Sequence, residues 1–393
     1  MAISSIGTWG RHSAQQWLVY GLTKSETWLS WVSAASLLPI ALVAIPAGAM
    51  VDRVDKRRLL LALQVIEMAL SALLALLVGT GRVRPEHVVT IAACMGVAGG
   101  IEMPCRQAFI VEIVGKGTLR NAIALNSIMF NLPLMLGPLL ASFLMQHVGM
   151  TSVFVVDAVS FLASIAAFAR LRVTPRAPGP QEAAPGPARP LREILEGLAF
   201  VRGSRPVAAI LMLLATAMVF GWSYASQLAS YARTTLGAGT AGYGLLHASS
   251  GIGATLGALW IASHPTLDPE RVLLGCLAGF AVSLLAMALV PDLALAVVSR
   301  AVAGWCMIAF FATGNSTIQL CVPDRIRGRV MALWTFSFGT SLPLGQLLVG
   351  YVAGRTSVAF AFGAGALVVL AAVALFALWR PLRGAGVVAA EAG

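Results

Sequence analysis

Charge is scarce in this chain. Only 11% of its 393 residues are Asp, Glu, Lys or Arg, where soluble domains carry about a quarter. None falls between Ser30 and Val51, and only Glu67 falls between Leu59 and Gly79. With 58% hydrophobic residues, that scarcity excludes a soluble globular protein. The five cysteines (Cys94, Cys105, Cys276, Cys306 and Cys321) form no C-x-x-C pair and show no metal-ligand spacing. Most lie inside apolar runs, where cysteine acts as a small hydrophobe. The phosphate loop G-x-x-x-x-G-K-[ST] is missing, so no nucleotide site is expected. No Ser-His-Asp set stands out, so no enzyme, cofactor or metal site is expected. A cleavable signal pattern is also lacking, because the first apolar run continues into a second.

What remains is a succession of apolar runs of ~20 residues, each able to cross a ~30 Å hydrocarbon core. Breaker residues separate twelve of them, at 3–22, 30–51, 59–79, 88–108, 122–146, 151–170, 207–231, 242–262, 272–290, 293–318, 329–353 and 358–379. The expected class is an all-α membrane protein with twelve transmembrane helices. The formal charge of +11 does not point to nucleic acid, because the cations sit in short loops between runs. Alternate loops hold 20 of the 27 Lys and Arg, five lie on the opposite side, and Arg11 and Arg300 fall within spans. The positive-inside rule then puts the cation-rich loops and both termini in the cytoplasm.

The rhythm breaks once. Residues 173–190 (VTPRAPGPQEAAPGPARP) are rich in Pro, Ala and Gly and read as a flexible linker. Leu191, Ile194, Leu195, Leu198 and Val201 follow at helical spacing with charges between them, which predicts an amphipathic helix on the membrane face. A plain extension of the seventh span is the alternative. The expected organisation is a six-helix bundle over 1–171, a linker over 172–206, a second six-helix bundle over 207–380 and a tail over 381–393. An internal repeat supports the division. A shift of 208 residues lays Ala124–Leu140 on Ala332–Leu348 with eight of 17 positions identical, Gly137 and Gly345 among them. Parallel repeats of this kind place a binding site at the midplane between the halves.

The densest charge in the chain is Asp52-Arg53-Val54-Asp55-Lys56-Arg57-Arg58, four cations and two carboxylates between two apolar spans. With Gly48 it reads Gly48-x-x-x-Asp52-Arg53-x-x-Lys56-Arg57, which resembles the signature of the major facilitator superfamily between its second and third helices. Further stretches resemble the enterobactin-exporter and macrolide-efflux-like branch. These are Ser5-Ile6-Gly7-Thr8-Trp9, Pro104-x-Arg106-Gln107-Ala108, Asn121-Ala122-Ile123-Ala124-Leu125-Asn126-Ser127 and Pro323-Asp324-x-x-Arg327-Gly328-Arg329. Asp55 replaces the usual glycine, the matching loop of the second half has lost its acid–base pair, and only Gly137-Pro138 survives of the antiporter motif on helix 5. The resemblance implies two pseudo-symmetric bundles in a bacterial plasma membrane, acting as a monomer. It also implies a gate latch in which Asp52 faces the eleventh span and Arg53 reaches an acid on the fourth, with Glu102 and its i+4 partner Arg106 as the candidates. The other reading of these charges is topological only.

In that family the first, fourth, seventh and tenth spans line the cavity. Ser4, Thr8, Arg11 and Gln15 share one face of the first span by spacing, and a charge within a span usually faces a cavity or a partner. Arg11 and Gln15 are therefore substrate-contact candidates, with interfacial snorkelling as the alternative for Arg11. The seventh span offers Trp222, Tyr224 and Gln227; the tenth offers Trp305 and Asn315, with Arg300 near its outer end. Aromatic bodies with polar tips suit an amphipathic ligand, although interhelical packing explains each equally well. Glu67, Asp157, His247 and Glu102 are the groups within spans that could carry a proton. The resulting expectation is a secondary-active exporter of a siderophore, drug or metabolite, driven by a proton or other ion gradient. A lysophospholipid carrier and a non-transporting membrane sensor or scaffold remain open. The two in-span cations and few free acids lean toward an anionic or zwitterionic cargo.

Asp52→Asn is expected to reduce transport while leaving membrane insertion intact. Efflux rate compared with the amount of protein in isolated membranes measures this, and wild-type rates in the variant would leave the loop with a topological role alone.

Overall fold

The computed structural model describes residues 2–51, 54–114, 119–170, 190–264 and 266–379. They form helices and no strand: α1 (Ala2–Thr23), α2 (Glu26–Val51), α3 (Lys56–Gly79), α4 (Pro85–Val114), α5 (Leu119–His147), α6 (Met150–Arg170), α7 (Pro190–Gly203), α8 (Arg205–Thr235), α9 (Thr240–Ser263), α10 (Pro269–Leu289), α11 (Leu293–Cys321), α12 (Asp324–Arg355) and α13 (Val358–Trp379). Acids cap several starts: Asp55 accepts from the Arg58 amide at 3.0 Å, and Asp292 from the Leu295 amide at 2.8 Å. Gly149, at φ +112°, makes the tight turn between α5 and α6.

Among the described residues nine helices are long and apolar enough to cross a membrane, and α5 adds a shorter apolar stretch over Leu132–His147. Of the twelve expected spans, α1 and α12 have the length, 22 and 32 residues, but not the apolarity. The cause is visible in α1, whose Arg11, Ser13 and Gln15 are all buried inside the protein. Such residues lower the average without facing lipid. The outer surface is the opposite of a soluble one, with Leu76 62% and Leu378 84% exposed, which a bilayer solvates. The amphipathic α7 is a separate helix that breaks from α8 at Ser204. It docks on α12, where Gly197 meets Leu333 and Arg329, and Glu196 pairs with Arg329.

Packing follows the chain order twice. In the first half α1 packs on α5 and α6, α2 on α4, and α3 on α6; in the second, α9 packs on α11, α10 on α11 and α13, and α12 on α8. Crossing contacts run between α2 and α12 and between α5 and α9. The repeated glycines take matching places. A Cβ on Gly137 of α5 would lie 2.7 Å from the Ile6 carbonyl oxygen of α1, and one on Gly345 of α12 would lie 2.4 Å from the Val219 carbonyl oxygen of α8. Each glycine lets the fifth helix of its half touch the backbone of the first.

α8 departs from the uninterrupted span that the sequence suggests. It is α-helical over Arg205–Thr216, π over Ala217–Gly221, 3₁₀ over Trp222–Gln227, α over Leu228–Ser230 and π again over Tyr231–Thr235. Two neighbours press its first loose turn: Gly345 against Val219, and Gly365 of α13 against the Phe220 carbonyl. Irregular backbone inside a membrane persists where protein buries it, and such bulges concentrate at functional sites.

Candidate functional site

Two polar systems lie within the apolar helices. The first is inside the N-terminal half. Arg11 of α1 turns toward α6, and its Nε donates to Asp157 Oδ2 at 2.9 Å. Both are buried, Arg11 2% and Asp157 0% exposed. The Ser71 hydroxyl of α3 donates to the same Oδ2 at 2.7 Å, and Arg11 Nη1 donates to Gln15 Oε1 at 3.3 Å. Removing two ions from water costs several kcal/mol each, which close geometry and the added hydrogen bonds offset here. Asp157 Oδ1, Gln15 Nε2 and Gln64 Oε1 stay buried without a hydrogen-bond partner. Glu67, also buried, lies within electrostatic reach of Arg11, Asp157, Glu102 and Arg106. Glu102 in turn sits 3.6 Å from Arg106. A file of titratable groups thus runs from mid-span toward the cation-rich end of the N-terminal half.

The second system joins the halves at the opposite, cation-poor end. Gln227 of the irregular α8 donates to Ser30 Oγ at 2.8 Å and to the Glu26 carbonyl at 3.1 Å. Ser230 donates to the Glu26 carboxylate at 2.9 Å. Ser30 donates onward to the Gln346 carbonyl of α12 at 2.5 Å. Arg233 donates to the Trp17 carbonyl at 3.3 Å and stacks its guanidinium 3.9 Å from the Trp17 ring centre. The Tyr243 hydroxyl of α9 donates to the Ser13 carbonyl at 3.1 Å, and its ring lies 5.1 Å from that of Trp17. Four side chains from α8 and α9 and one backbone carbonyl of α12 therefore meet α1 and α2 in one clamp. Gln227, Ser230 and Arg233 all lie in the stretch of α8 where the winding changes.

The remaining candidates divide. Tyr224 accepts from Arg300 and packs edge-on against Phe362 at 5.3 Å. Trp222 stacks on Phe280 at 6.4 Å and Trp305 packs tilted against Trp260 at 4.7 Å, both within the C-terminal half. Asn315 accepts from Gln319 at 2.6 Å. His247 stands edge-on to Tyr243 at 4.7 Å, its Nε2 buried without a partner. In the charged loop, Asp52 and Arg53 lie outside the described residues, and Gly48 is described only as part of α2. Lys56 begins α3. Arg57 caps the end of α6, donating to the Phe168 and Ala169 carbonyls at 2.8 and 2.6 Å, as a cation at a helix C-terminus does. Among the described residues no group of three or more His, Cys, Asp or Glu could hold a metal.

By sequence Arg11 is a substrate-contact candidate and Asp157 a proton-carrier candidate; the structure joins the two. None of Trp17, Glu26, Ser30, Arg233 and Tyr243 stands out as a site residue in the sequence. The only available signal was the clustering of Lys24 and Glu26 at a span boundary, which reads equally as loop charge.

The chain matches a family model described as transmembrane secretion effector over residues 1–386. It is 28% identical over 352 residues to the multidrug efflux pump Tap of Mycolicibacterium fortuitum, covering 86% of this chain and 83% of that one. It is 25% identical over 353 residues to the enterobactin exporter EntS of Escherichia coli O1:K1 / APEC, covering 86% and 79%. Among solved structures it resembles a bacterial homolog of the human lysosomal transporter Spinster, with a TM-score of 0.69 and 14% identity over 99% of this chain and 95% of the other. That likeness is one of fold.

The Arg11–Asp157 pair makes a stability prediction. Arg11→Met or Asp157→Leu alone leaves a buried ion unpaired and should cost ~3–5 kcal/mol, whereas the double variant should recover most of the loss. Thermal unfolding in detergent measures the cycle; additive losses would mean that the two charges do not interact.

Proposed function

The chain belongs to the transmembrane secretion effector family of the major facilitator superfamily, and we propose that it exports a small amphipathic molecule by alternating access, driven by protons. It is a multi-pass membrane protein of a transporter family, and its relatives named above pump drugs or a siderophore out of bacteria. The finer reading rests on one observation, the polar clamp at the cation-poor end. Beside apolar packing of Trp17, Tyr20 and Leu29 on the C-terminal half, the crossing contacts include hydrogen bonds and one cation stacked on a ring, which exchange for water at small net cost. Such a seal holds one side shut and can part, while the glycine contacts keep each half rigid. With the cation-rich face cytoplasmic, the clamp is the outer gate, and closing it leaves the cargo site open to the cytoplasm. The charged loop at Asp52–Arg58 supplies the opposing latch.

The polar file of the N-terminal half supports proton coupling. A coupled carrier needs an acid that exchanges protons on one side and senses cargo through the bundle. Glu67 lies within reach of the Arg11–Asp157 pair on one side and of Glu102, nearer the cation-rich end, on the other. Asp157 Oδ1, buried and without a partner, is a place for the proton to rest.

Both parts are testable in proteoliposomes with an imposed pH gradient. Bridging Glu26→Cys to Ser230→Cys with a thiol crosslinker should stop dye efflux, and reduction should restore it. Undiminished efflux through the bridged protein would rule out alternating access at this clamp.

Glu67→Gln should abolish gradient-driven accumulation yet leave downhill exchange near the wild-type rate. Accumulation that persists in this variant would remove Glu67 from the proton path.

A further inference from the structure

Among the described residues two guanidiniums are buried, and only one of them is paired with a carboxylate. Arg11 has Asp157 at 2.9 Å. Arg300 of α11 is as deeply buried, 4% exposed, and forms no ion pair with any carboxylate among the described residues. Its Nε donates to the Leu246 carbonyl of α9 at 3.1 Å, and its Nη1 donates to the Tyr224 hydroxyl of α8. Its guanidinium carbon stands 5.1 Å from the Tyr224 ring centre. Neutral partners align the group without cancelling its charge. A guanidinium offers five N–H donors, so a fork remains to be filled.

The surroundings do not supply the missing charge. His247 and Tyr243 lie within electrostatic reach of Arg300, and Arg233 within reach of Tyr243. Glu26, the acid of the clamp, is taken by Tyr20 and Ser230. A buried cation in a transmembrane bundle is costly and marks a ligand path unless it is paired. Here His247, whose Nε2 is buried without a partner among the described residues, lies within electrostatic reach of it and edge-on to the ring of Tyr243.

Tyr243 belongs both to this cluster and to the clamp, through its hydrogen bond to Ser13. In the transport cycle proposed above, parting of the halves breaks that bond and frees the Tyr243 ring, which packs edge-on to His247.

We propose that Arg300 receives the negatively charged group of the transported molecule, a carboxylate, sulfonate, phosphate or catecholate, with Tyr243 as its lid. The proposal rests on the transporter reading above and assigns its cargo class. It also divides the roles of the two buried cations. Arg11 serves the N-terminal polar file, and Arg300 serves the cargo.

A matched pair of probes tests it: 2-naphthoate and 2-naphthylmethylammonium share a ring system and differ in the sign of their charge. Titrated against the purified full-length chain in neutral detergent, the wild type should bind the anion at least about tenfold more tightly than the cation. Arg300→Lys should keep the preference in weakened form, and Arg300→Gln should bring the two affinities together while leaving the cation's unchanged. Equal affinities in the wild type, tighter binding of the cation, no binding of either probe, or a preference that survives Arg300→Gln would overturn the assignment. A purely structural Arg300 would instead weaken both probes equally in Arg300→Gln, which also overturns it. Should that variant fail to fold, Tyr224→Phe keeps the ring packing and frees one Arg300 donor. Naphthoate should then bind severalfold more tightly, and unchanged or weaker binding counts against the site. The measurement is independent of the crosslinked-efflux experiment. A preference for the anion in a protein that moves dye through a closed clamp would uphold the site and sink the transport mechanism.

Discussion

Inside a bilayer no water reaches a buried ion, and the whole arrangement follows from how this chain satisfies that constraint. Arg11 is held by a carboxylate, a hydroxyl-supported one, across three helices of the N-terminal half. The pair ties α1, α3 and α6 together at mid-span, where apolar packing alone would discriminate weakly between helix registers. Lipid tails are as apolar as leucine, so polar contacts and close backbone approach supply the specificity. Gly137 and Gly345 supply the second of these, and their matched placement gives the two halves a shared internal design.

The halves themselves meet differently. Within each half, helices interlock through buried apolar side chains and glycine contacts. Between them, at the cation-poor end, the polar contacts of Gln227, Ser230, Arg233 and Tyr243 with Trp17, Glu26 and Ser30 are added to apolar packing of Trp17, Tyr20 and Leu29 on the C-terminal half. Three of the crossing groups come from the irregular α8.

Much of the fold was legible beforehand because it depends on neighbours in sequence. Apolar length, loop charge and breaker residues are local, so the spans, the separate α7 helix and the all-helical class could be read directly. The Gly137 and Gly345 correspondence was legible for another reason: a duplicated segment repeats its packing. The site was read less well. Spacing put Arg11 and Gln15 on one face of α1 but could not say which neighbour that face meets. Arg57, grouped with the latch by its motif, caps the C-terminus of α6. Glu26 and Ser30 look like ordinary boundary residues until α8 is laid against them.

The sequence by itself determined that the chain is a bundle of membrane helices with charge concentrated on one face, since hydrophobic length and the distribution of Lys and Arg need no partner to be read. Only the tertiary structure decided which polar groups meet. The Arg11–Asp157 contact spans 146 positions of chain and the Gln227–Ser30 contact 197. At such separations no periodicity links the partners; helix packing chooses them. The same packing left Arg300 among neutral neighbours, which makes it, of the two buried guanidiniums, the one free to act on something from outside the chain.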